Sequence, residues 1–501
     1  MTNILQPIRP LGPCEVYSSS RHALGFYRCL ANTCRYAVPW SALHGRSVPD
    51  VMEAAVANLV LRLPRLGVVI TGDEASRPCF AAVPSLDLAY HLECVELPAE
   101  LDSQARDTHL LHLLEAQHDR LWPNVGTRPP WRVLVIYNPR PSKPKDRLVL
   151  DVVLAIHHSL ADGRSTAIFQ TSLLDELNKP PSRPSCLEGH VLQLPSKPHG
   201  HILPSQEELV KFTTSWRFLA STLWNEFGSG WLRKPATDLL PWTGAPIEPD
   251  PYKTRLRLVV IPAQAVSQLI ANCRANGTTL TPLLHALIFA SFARRLPAGT
   301  ATSFRSCTPI DLRPFVQSEA HVTNRAESFG VLVTSASHSF DSSCVSELRE
   351  QPSGAKIWSL AQRLRKEIQE RVASIPQDDM VSMLRWVTNW RSFWLNKVNK
   401  PREQTWEVSN IGSLQGRTEG AVGTRGNTGS EWQILRSVMS QCAIVAGPAL
   451  CASVSGVVQG PISIALSWQE GIIESELVEG VAQDLQLWMD QGGSVHGPKM
   501  P

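Results

Sequence analysis

The spacing of apolar and polar positions predicts the first elements of the chain. Residues 23–36 have the pattern of an extended segment, and apolar residues recur at helical spacing over 49–62. Two β-rich runs follow at 131–137 and 148–156, with a polar, proline-containing loop between them. These runs predict neighbouring strands of a hairpin. After the second run the spacing becomes helical over 166–174.

Two segments rich in chain-breaking residues interrupt this pattern near the middle of the chain. Residues 180–204 are rich in proline, serine and histidine, and residues 239–252 contain several prolines. Between them, residues 212–231 predict an amphipathic helix with an aromatic face. Three parts are therefore predicted, namely an N-terminal lobe over 1–185, a crossover over 186–252 and a C-terminal lobe over 253–501.

Strands and helices alternate again in the second half of the chain. Strands are predicted at 255–261, up to residue 313, at 405–409 and around Trp432, Ala449 and Ile462. Helices are predicted at 263–275, 280–296, 357–372, 378–396 and 474–489. The glycine-rich residues 416–429 predict a mobile loop. Two alternating halves of similar size predict an α/β protein of two lobes with an active site in the crevice between them.

Composition and charge narrow the class of protein. Of 501 residues, 43% are hydrophobic and 19% are charged, which is typical of a globular chain of two or more domains. The formal net charge of +3 comes without a basic stripe, so nucleic acid is not predicted as a partner. The sequence contains no apolar run of membrane-spanning length and no signal-peptide pattern. Eleven scattered cysteines indicate reduced thiols, not a metal site. A soluble cytoplasmic protein is expected.

The segment His157-His158-Ser159-Leu160-Ala161-Asp162-Gly163 holds the clearest chemical signal. A neutral histidine can take the proton of an alcohol or amine that attacks a thioester. Because a thioester is already activated, neither a metal nor a covalent enzyme intermediate is required. Motifs of serine hydrolases, zinc proteases and nucleotide-binding enzymes are absent. We therefore predict acyl transfer with His158 as general base and His157 as an orienting or packing residue.

Asp162 is expected to act differently from the histidines. A carboxylate four residues after His158 and next to Gly163 is poorly placed as a second base. It is expected to hold the loop by pairing with a cation that is distant in sequence. An isolated His-His pair would more often be a buried, satisfied histidine at a strand end. The full motif between a β-rich run and a helix favours the catalytic interpretation.

Further segments extend the pattern over nearly the whole chain, from about Arg9 to Trp488. In order they are Arg9–Gly12 with Glu15, Tyr17 and Arg21–Tyr27, then Pro130–Arg132, Gly277–Thr281, Thr308–Arg313, Val408–Gly412 and Ser467–Gly471. With the motif of His158, Asp162 and Gly163, these segments resemble the fungal alcohol O-acetyltransferases. That family is a branch of the superfamily of chloramphenicol acetyltransferase, plant BAHD acyltransferases and peptide-synthetase condensation domains.

This resemblance implies two similar chloramphenicol-acetyltransferase-like lobes, with mixed sheets and flanking helices, and a tunnel between them with His158 at its middle. The thioester would enter from one face and the acceptor from the other. The resemblance also implies that Asp162 pairs with a structural arginine, for which Arg313 is the best match. Ser409 or Asn410 would contact the donor arm and the oxyanion, with a plain strand end and glycine turn as the equal alternative. The D-F-G-W-G string of the plant relatives is absent, so their coenzyme A contacts do not carry over.

The functional hypothesis is transfer of an acyl group, most simply acetyl, to the hydroxyl of a small or natural-product alcohol. The donor is a pantetheine thioester of coenzyme A or of an acyl carrier protein, and it is a co-substrate, so no bound cofactor is predicted. A monomer is expected, since two lobes of one chain form the site. The alternative is a non-transferring relative that binds a ligand or catalyses a cyclisation or dehydration. Peripheral membrane contact through the aromatic residues of 212–231 and 386–394 is the minor alternative to core or tunnel packing.

Overall fold

Strands and helices alternate along the chain, and two large β-sheets contain most of the strands. The computed structural model describes residues 5–73, 77–98, 101–138, 147–195, 202–227, 241–317, 324–350, 353–416 and 431–493. Its strands are β1 (Pro7–Pro10), β2 (Leu30–Pro39), β3 (Val68–Thr71), β4 (Cys79–Ala82), β5 (Ser85–Asp87), β6 (Leu92–Glu96), β7 (Trp131–Tyr137), β8 (Arg147–Ile156), β9 (Leu187–Glu188), β10 (Val191–Gln193), β11 (Thr254–Ile261), β12 (Phe304–Asp311), β13 (Val333–Phe340), β14 (Trp406–Leu414), β15 (Gln433–Gln441), β16 (Leu450–Val457) and β17 (Ile462–Gln469). Its α-helices are α1 (Pro13–Ala23), α2 (Val48–Arg62), α3 (Ser103–Asp119), α4 (Gly163–Leu177), α5 (Gln206–Val210), α6 (Trp216–Phe227), α7 (Ala263–Ala275), α8 (Leu280–Arg295), α9 (Ser342–Glu350), α10 (Gly354–Ser374), α11 (Trp390–Leu395) and α12 (Ser475–Asp490).

The first large sheet has the strand order β15-β2-β8-β7-β6. The predicted hairpin is confirmed, because β7 and β8 pair antiparallel from Trp131 opposite Ile156 to Tyr137 opposite Leu150. Strand β8 is buried on both faces from Leu150 onward, since β2 and β7 flank it and α4 packs nearby. A continuous apolar run is the expected sequence of such a central strand. The charge of Asp151 within it is paired with Arg35 and Arg106.

The second large sheet has the order β11-β17-β16-β14-β12-β13. It is mixed, because β14 runs parallel to both β12 and β16 while the other neighbours are antiparallel. Helix α8 is buried from Pro282 to Ala293 against this sheet and against α10 and α12. Mixed sheets with flanking helices confirm the predicted α/β class.

One strand of the second half of the chain belongs to the first sheet. Strand β15 pairs antiparallel with β2, from Gln441 opposite Leu30 to Gln433 opposite Ala37. It also contacts β16, where the backbone N–H of Met439 donates to Ser455 Oγ at 2.9 Å. The predicted division at residues 185 and 252 stays a prediction. The exchanged strand ties the two halves together across that division.

Some predicted elements differ from the structure. The single helix predicted over 378–396 is wrong, because the chain forms a 3₁₀ helix at Met380–Trp386 and then the short α11. Asp379 and Asn389 each accept a backbone N–H at the start of one of these pieces, so the side chains start two helices. The extended segment predicted over 23–36 is also partly wrong, since α1 ends at Ala23 and β2 begins at Leu30. The glycine-rich loop lies outside the described residues beyond Gly416.

The aromatic residues considered for membrane contact fall into two groups. Phe393 and Trp394 pack edge to face beside α1, and both line an internal cavity. Trp216 and Trp386 are 74% and 60% exposed. No helix in the described ranges is long and apolar enough to cross a membrane. Membrane contact therefore stays a prediction: of the described aromatic side chains in 212–231 and 386–394, Trp216 and Trp386 are the largely exposed ones, and Trp231 lies outside the described residues.

Candidate active site

A cavity of about 710 Å³, the central cavity, opens between the two large sheets at the end of β8. The first sheet and its connections supply Leu30, His158 and Gln441 to its wall, and the second sheet supplies Pro309 and Ser409. The predicted crevice between two halves of the chain is therefore present, and the motif histidine lies in it.

His158 follows β8 in a turn and is partly exposed to the central cavity. Its buried Nδ1 has no hydrogen bond to another residue of the described chain, which leaves Nε2 as the nitrogen open to the cavity. Burial lowers the pKa of His158 to about 4, and the positive charge of Arg21 adds to this effect. The residue's own backbone carbonyl and Asp162 oppose the shift. The imidazole is thus neutral at neutral pH and can accept a proton.

His157 is buried in the protein interior. Its Nδ1 accepts the backbone N–H of Ser159 at 3.0 Å, so it closes the motif turn. Its ring packs edge to face against His22, with 4.7 Å between the ring centroids. Burial and the neighbouring His22, His158 and Arg21 hold the pKa of His157 well below its usual value. The ring is neutral and enclosed, and His157 is not among the described residues that line the central cavity.

The predicted ion pair between Asp162 and Arg313 is present. The two carboxylate oxygens accept from Arg313 Nη1 and Nη2 at 3.0 Å each, and from the backbone N–H groups of Ser165 and Leu332 at 2.8 Å each. Burial raises the pKa of Asp162, but Arg313 and these hydrogen bonds outweigh burial, so the pKa is lowered. With both oxygens occupied, Asp162 caps α4 and holds the turn.

Arg313 is saturated with acceptors. Besides Asp162, its guanidinium donates to the Ser328 carbonyl at 3.0 Å, to Asp311 at 2.8 Å and to Ser165 Oγ at 2.9 Å. Five hydrogen-bond donors in a rigid plane suit arginine to join several segments in this way. The pair therefore ties the motif turn of the first half to the 3₁₀ helix Arg313–Phe315, which follows β12 in the second half.

Gly163 is needed for close packing at the start of α4. A Cβ atom at this position would lie 2.8 Å from Ile411 Cγ2 and 2.8 Å from Met439 Cε. These residues belong to β14 and β15, so the absence of a side chain lets the motif turn approach both sheets. Glycine is required here because the side chains of Ile411 and Met439 lie too close to leave room for a Cβ atom.

Ser409 and Asn410 both line the central cavity, and their contact with the donor arm and the oxyanion stays a prediction. The Asn410 amide donates to Thr281 Oγ1 at 3.1 Å, and its oxygen accepts the N–H of Gly412 at 2.9 Å. Gly412 has a φ of +81° and lies where the register of β14 against β16 shifts, between Asn410 and Ser413. The alternative of a strand end is therefore wrong, because β14 continues through this bulge to Leu414. Ser409 has no hydrogen bond to its hydroxyl within the described ranges. Of the two residues, Ser409 is the freer donor.

Four further cavity residues were not assigned roles from the sequence, namely Arg21, Tyr27, Glu407 and Gln441. The Tyr27 ring lies 5.4 Å from the His158 ring, and its hydroxyl donates to Gln441 Oε1 at 3.1 Å. Gln441 in turn donates to Glu407 at 2.8 Å, and burial raises the pKa of Glu407. In the sequence, the charged Glu407 between the apolar Trp406 and Val408 could have indicated a buried carboxyl group here.

Two cysteine thiols in the cavity wall are not activated as nucleophiles. Burial, together with nearby carboxylates, raises the pKa of Cys14 and Cys307 well above the usual value, so both stay protonated. Among the residues that the structure describes, no three His, Cys, Asp or Glu side chains form a group that could hold a metal ion. In contrast to these thiols, His158 has a neutral ring nitrogen that is open to the cavity.

Solved structures identify the class of fold. The trichothecene 15-O-acetyltransferase TRI3 of Fusarium sporotrichioides superposes with a TM-score of 0.68 at 11% identity, covering 97% of this chain and 95% of that one. The first condensation domain of the calcium-dependent antibiotic synthetase superposes with a TM-score of 0.60 at 13% identity, covering 97% of each chain. At such identities the likeness shows the fold, which is the two-lobed acetyltransferase and condensation-domain fold.

Sequence comparison then identifies the family. The model of the alcohol acetyltransferase family matches residues 107–480. The probable alcohol acetyltransferase FCK4 of Fusarium pseudograminearum is 32% identical over 486 residues, covering 96% of this chain and 94% of that protein. The probable alcohol acetyltransferase crmB of Aspergillus fumigatus is 25% identical over 500 residues, covering 96% and 99%. The chain belongs to the alcohol acetyltransferase family and is an O-acyltransferase.

Proposed function

We propose that this protein transfers an acyl group, most simply acetyl, from a pantetheine thioester to the hydroxyl of a small or natural-product alcohol, with His158 as general base. The observation that supports this most directly is the neutral His158 imidazole, open to the central cavity through Nε2 and fixed on a turn that Asp162 and Arg313 hold. A catalytic side chain on a rigid turn keeps its geometry through the reaction.

The reaction proceeds through two proton transfers at one nitrogen. His158 Nε2 takes the hydroxyl proton of the acceptor while the alcohol oxygen attacks the thioester carbonyl. The tetrahedral intermediate carries a negative oxygen, to which the Ser409 hydroxyl is the proposed donor. When the intermediate collapses, the C–S bond breaks and the imidazolium returns the proton to the leaving thiolate. The products are an ester and a free thiol, and His158 is again neutral.

The remaining motif residues position this base. His157 and Gly163 shape the turn, Asp162 caps α4, and Arg313 holds Asp162 from the other half of the chain. Asn410 supports the bulge of β14 next to Ser409. Because Asp162 and Arg313 satisfy each other, they neither donate nor accept protons in the reaction.

The donor is a thioester of coenzyme A or of an acyl carrier protein. Similarity to the alcohol acetyltransferases favours acetyl-CoA, and similarity in fold to a condensation domain makes a carrier-bound acyl group the alternative. We expect one chain to be sufficient, since residues of both halves line the cavity. A cytoplasmic location and the division into two lobes and a crossover remain part of this proposal.

Free-thiol release from acetyl-CoA in the presence of a panel of alcohols tests the proposal. His158→Ala is expected to lower the acceptor-dependent rate by about 10²- to 10⁴-fold, because a general base contributes about that much. The matched control is His112→Ala, since the His112 side chain is 74% exposed on α3. Equal rates for wild type and His158→Ala would rule out His158 as the base. Acceptor conversion without any thiol release would instead favour a cyclisation or dehydration.

A further inference from the structure

Arg21 is a buried cation in the wall of the central cavity. It lies near the end of α1, is 8% exposed, and its guanidinium carbon stands 4.4 Å from the Tyr17 ring centroid and 4.6 Å from that of Tyr27. Trp394 forms a third aromatic wall at 5.8 Å. The charge of Arg21 acts on His158, whose pKa it lowers, so the two residues are close enough to affect each other.

No hydrogen bond or ion pair reaches the Arg21 guanidinium from any residue in the described ranges. Its Nε is enclosed without a partner, whereas the two Nη atoms are not among the enclosed, unpartnered atoms. Because Arg21 lines the cavity, its Nη donors are the ones available to a ligand there. Aromatic rings attract a cation, but they leave its N–H donors unused. A buried guanidinium without an acceptor is costly unless a ligand supplies one.

The acidic side chains of the cavity wall are engaged elsewhere. Asp162 and Asp311 bind Arg313, and Glu403 binds Lys397. Glu407 accepts from Gln441, does not form an ion pair with Arg21, and has a raised pKa because it is buried. Arg21 is thus a cation whose charge no carboxylate of the wall neutralises by direct contact.

We propose that Arg21 binds a carboxylate of the acceptor, so that the preferred acceptors are hydroxy acids. This assignment rests on the proposed acyl transfer, whose substrate class it specifies. The guanidinium offers its two Nη donors to the carboxylate as a bidentate pair. The hydroxyl of the same acceptor then lies at His158 Nε2.

The depth of Arg21 argues against the phosphates of coenzyme A as its ligand. Arg21 affects the charge state of His158, where the thioester reacts, whereas the phosphates are separated from the sulfur by the whole pantetheine arm. A carboxylate at Arg21 also changes the reacting centre. It neutralises the charge that disfavours the His158 imidazolium, so acceptor binding brings the base closer to a useful basicity.

Calorimetric binding without any thioester tests the assignment apart from catalysis. The probes are 10-hydroxydecanoate, 4-(hydroxymethyl)benzoate and mandelate, each beside its neutral methyl ester. Wild type is expected to bind at least one acid about 10- to 100-fold more tightly than its ester, the range of a charge-assisted hydrogen bond. Arg21→Met removes the donors and keeps an apolar stem between the two tyrosines, and it should abolish that preference. Arg21→Lys should retain part of it.

Arg164→Met is the matched control, because Arg164 also lines the cavity and its Nη1 already donates to the Ile411 carbonyl. It should keep the preference for the acid, and unliganded melting temperatures should show that the variants fold.

Equal binding of every acid and its ester by wild type, or a preference that survives Arg21→Met, overturns the assignment. If wild type prefers the acids but releases no thiol from acetyl-CoA or from a carrier-bound donor, the proposed acyl transfer is contradicted and the carboxylate site at Arg21 is supported. Equal rate loss for acids and esters in Arg21→Met, without a binding preference, indicates an oxyanion contact instead.

Discussion

Arg313 and Arg21 are both buried arginines beside the same motif, but their surroundings differ completely. Arg313 has four protein acceptors, two of them carboxylates, and joins the motif turn to the second half of the chain. Arg21 lies among three aromatic rings and lines the central cavity, and its guanidinium has no acceptor in the described chain. A satisfied buried charge stabilises the fold, whereas an unsatisfied one beside a cavity marks a place for a ligand.

The largest expected effect comes from the stability of variants at the two arginines. Arg313→Met leaves the Asp162 carboxylate buried without its cation and should lower the free energy of unfolding by about 3–5 kcal/mol. Arg21→Met loses cation–π attraction but also removes a buried guanidinium that has no acceptor, so the two effects oppose each other and the net loss should be about 1 kcal/mol or less. Urea denaturation of both variants and wild type measures the difference. Similar losses at the two positions would remove the distinction between a structural and a ligand-binding arginine.

A smaller effect is expected at the glycine of the motif turn. Gly163→Ala introduces a methyl group 2.8 Å from both Ile411 and Met439, and overpacking of this kind costs about 1–3 kcal/mol. Because the displaced turn also holds His158, the thiol-release rate should fall together with the melting temperature. Gly299→Ala is the control, since a Cβ there meets no atom within 4 Å. Full stability and activity of Gly163→Ala would show that the two sheets relax around the turn.

The smallest effect concerns pH. Since burial and Arg21 lower the pKa of His158 to about 4, neutral His158 predominates above that pH and is lost as the pH falls through it. The kcat/KM for a neutral alcohol should therefore drop on the acid side. Arg21→Met removes one lowering charge, so this acid limb should move to higher pH by a fraction of a unit. The raised pKa of Glu407 makes Glu407→Gln the control that separates its titration from that of His158. An acid limb that moves to lower pH in Arg21→Met would contradict the charge coupling.

Local elements with strong periodicity were predictable from the sequence. The strands β7 and β8, the helices α2, α7 and α8 and the closing α12 all lie within one or two residues of the predicted bounds. Predictions failed where side chains start separate short helices, as Asp379 and Asn389 do between residues 378 and 396. A side chain that caps a new helix competes with continuation of the preceding one, and the spacing of apolar residues does not reveal such caps.

The sequence by itself determined the motif and its position after a strand and, through the family resemblance, the Asp162–Arg313 partnership and the class of reaction. These features depend on contiguous residues or on segments that recur in a fixed order. Tertiary structure alone decided the rest: that β15 completes the first sheet, that Ser409 is freer than Asn410, and that Arg21 lines the cavity without an acceptor. Those properties depend on which distant side chains meet and on which donors remain unsatisfied after packing, and a linear pattern does not contain that information.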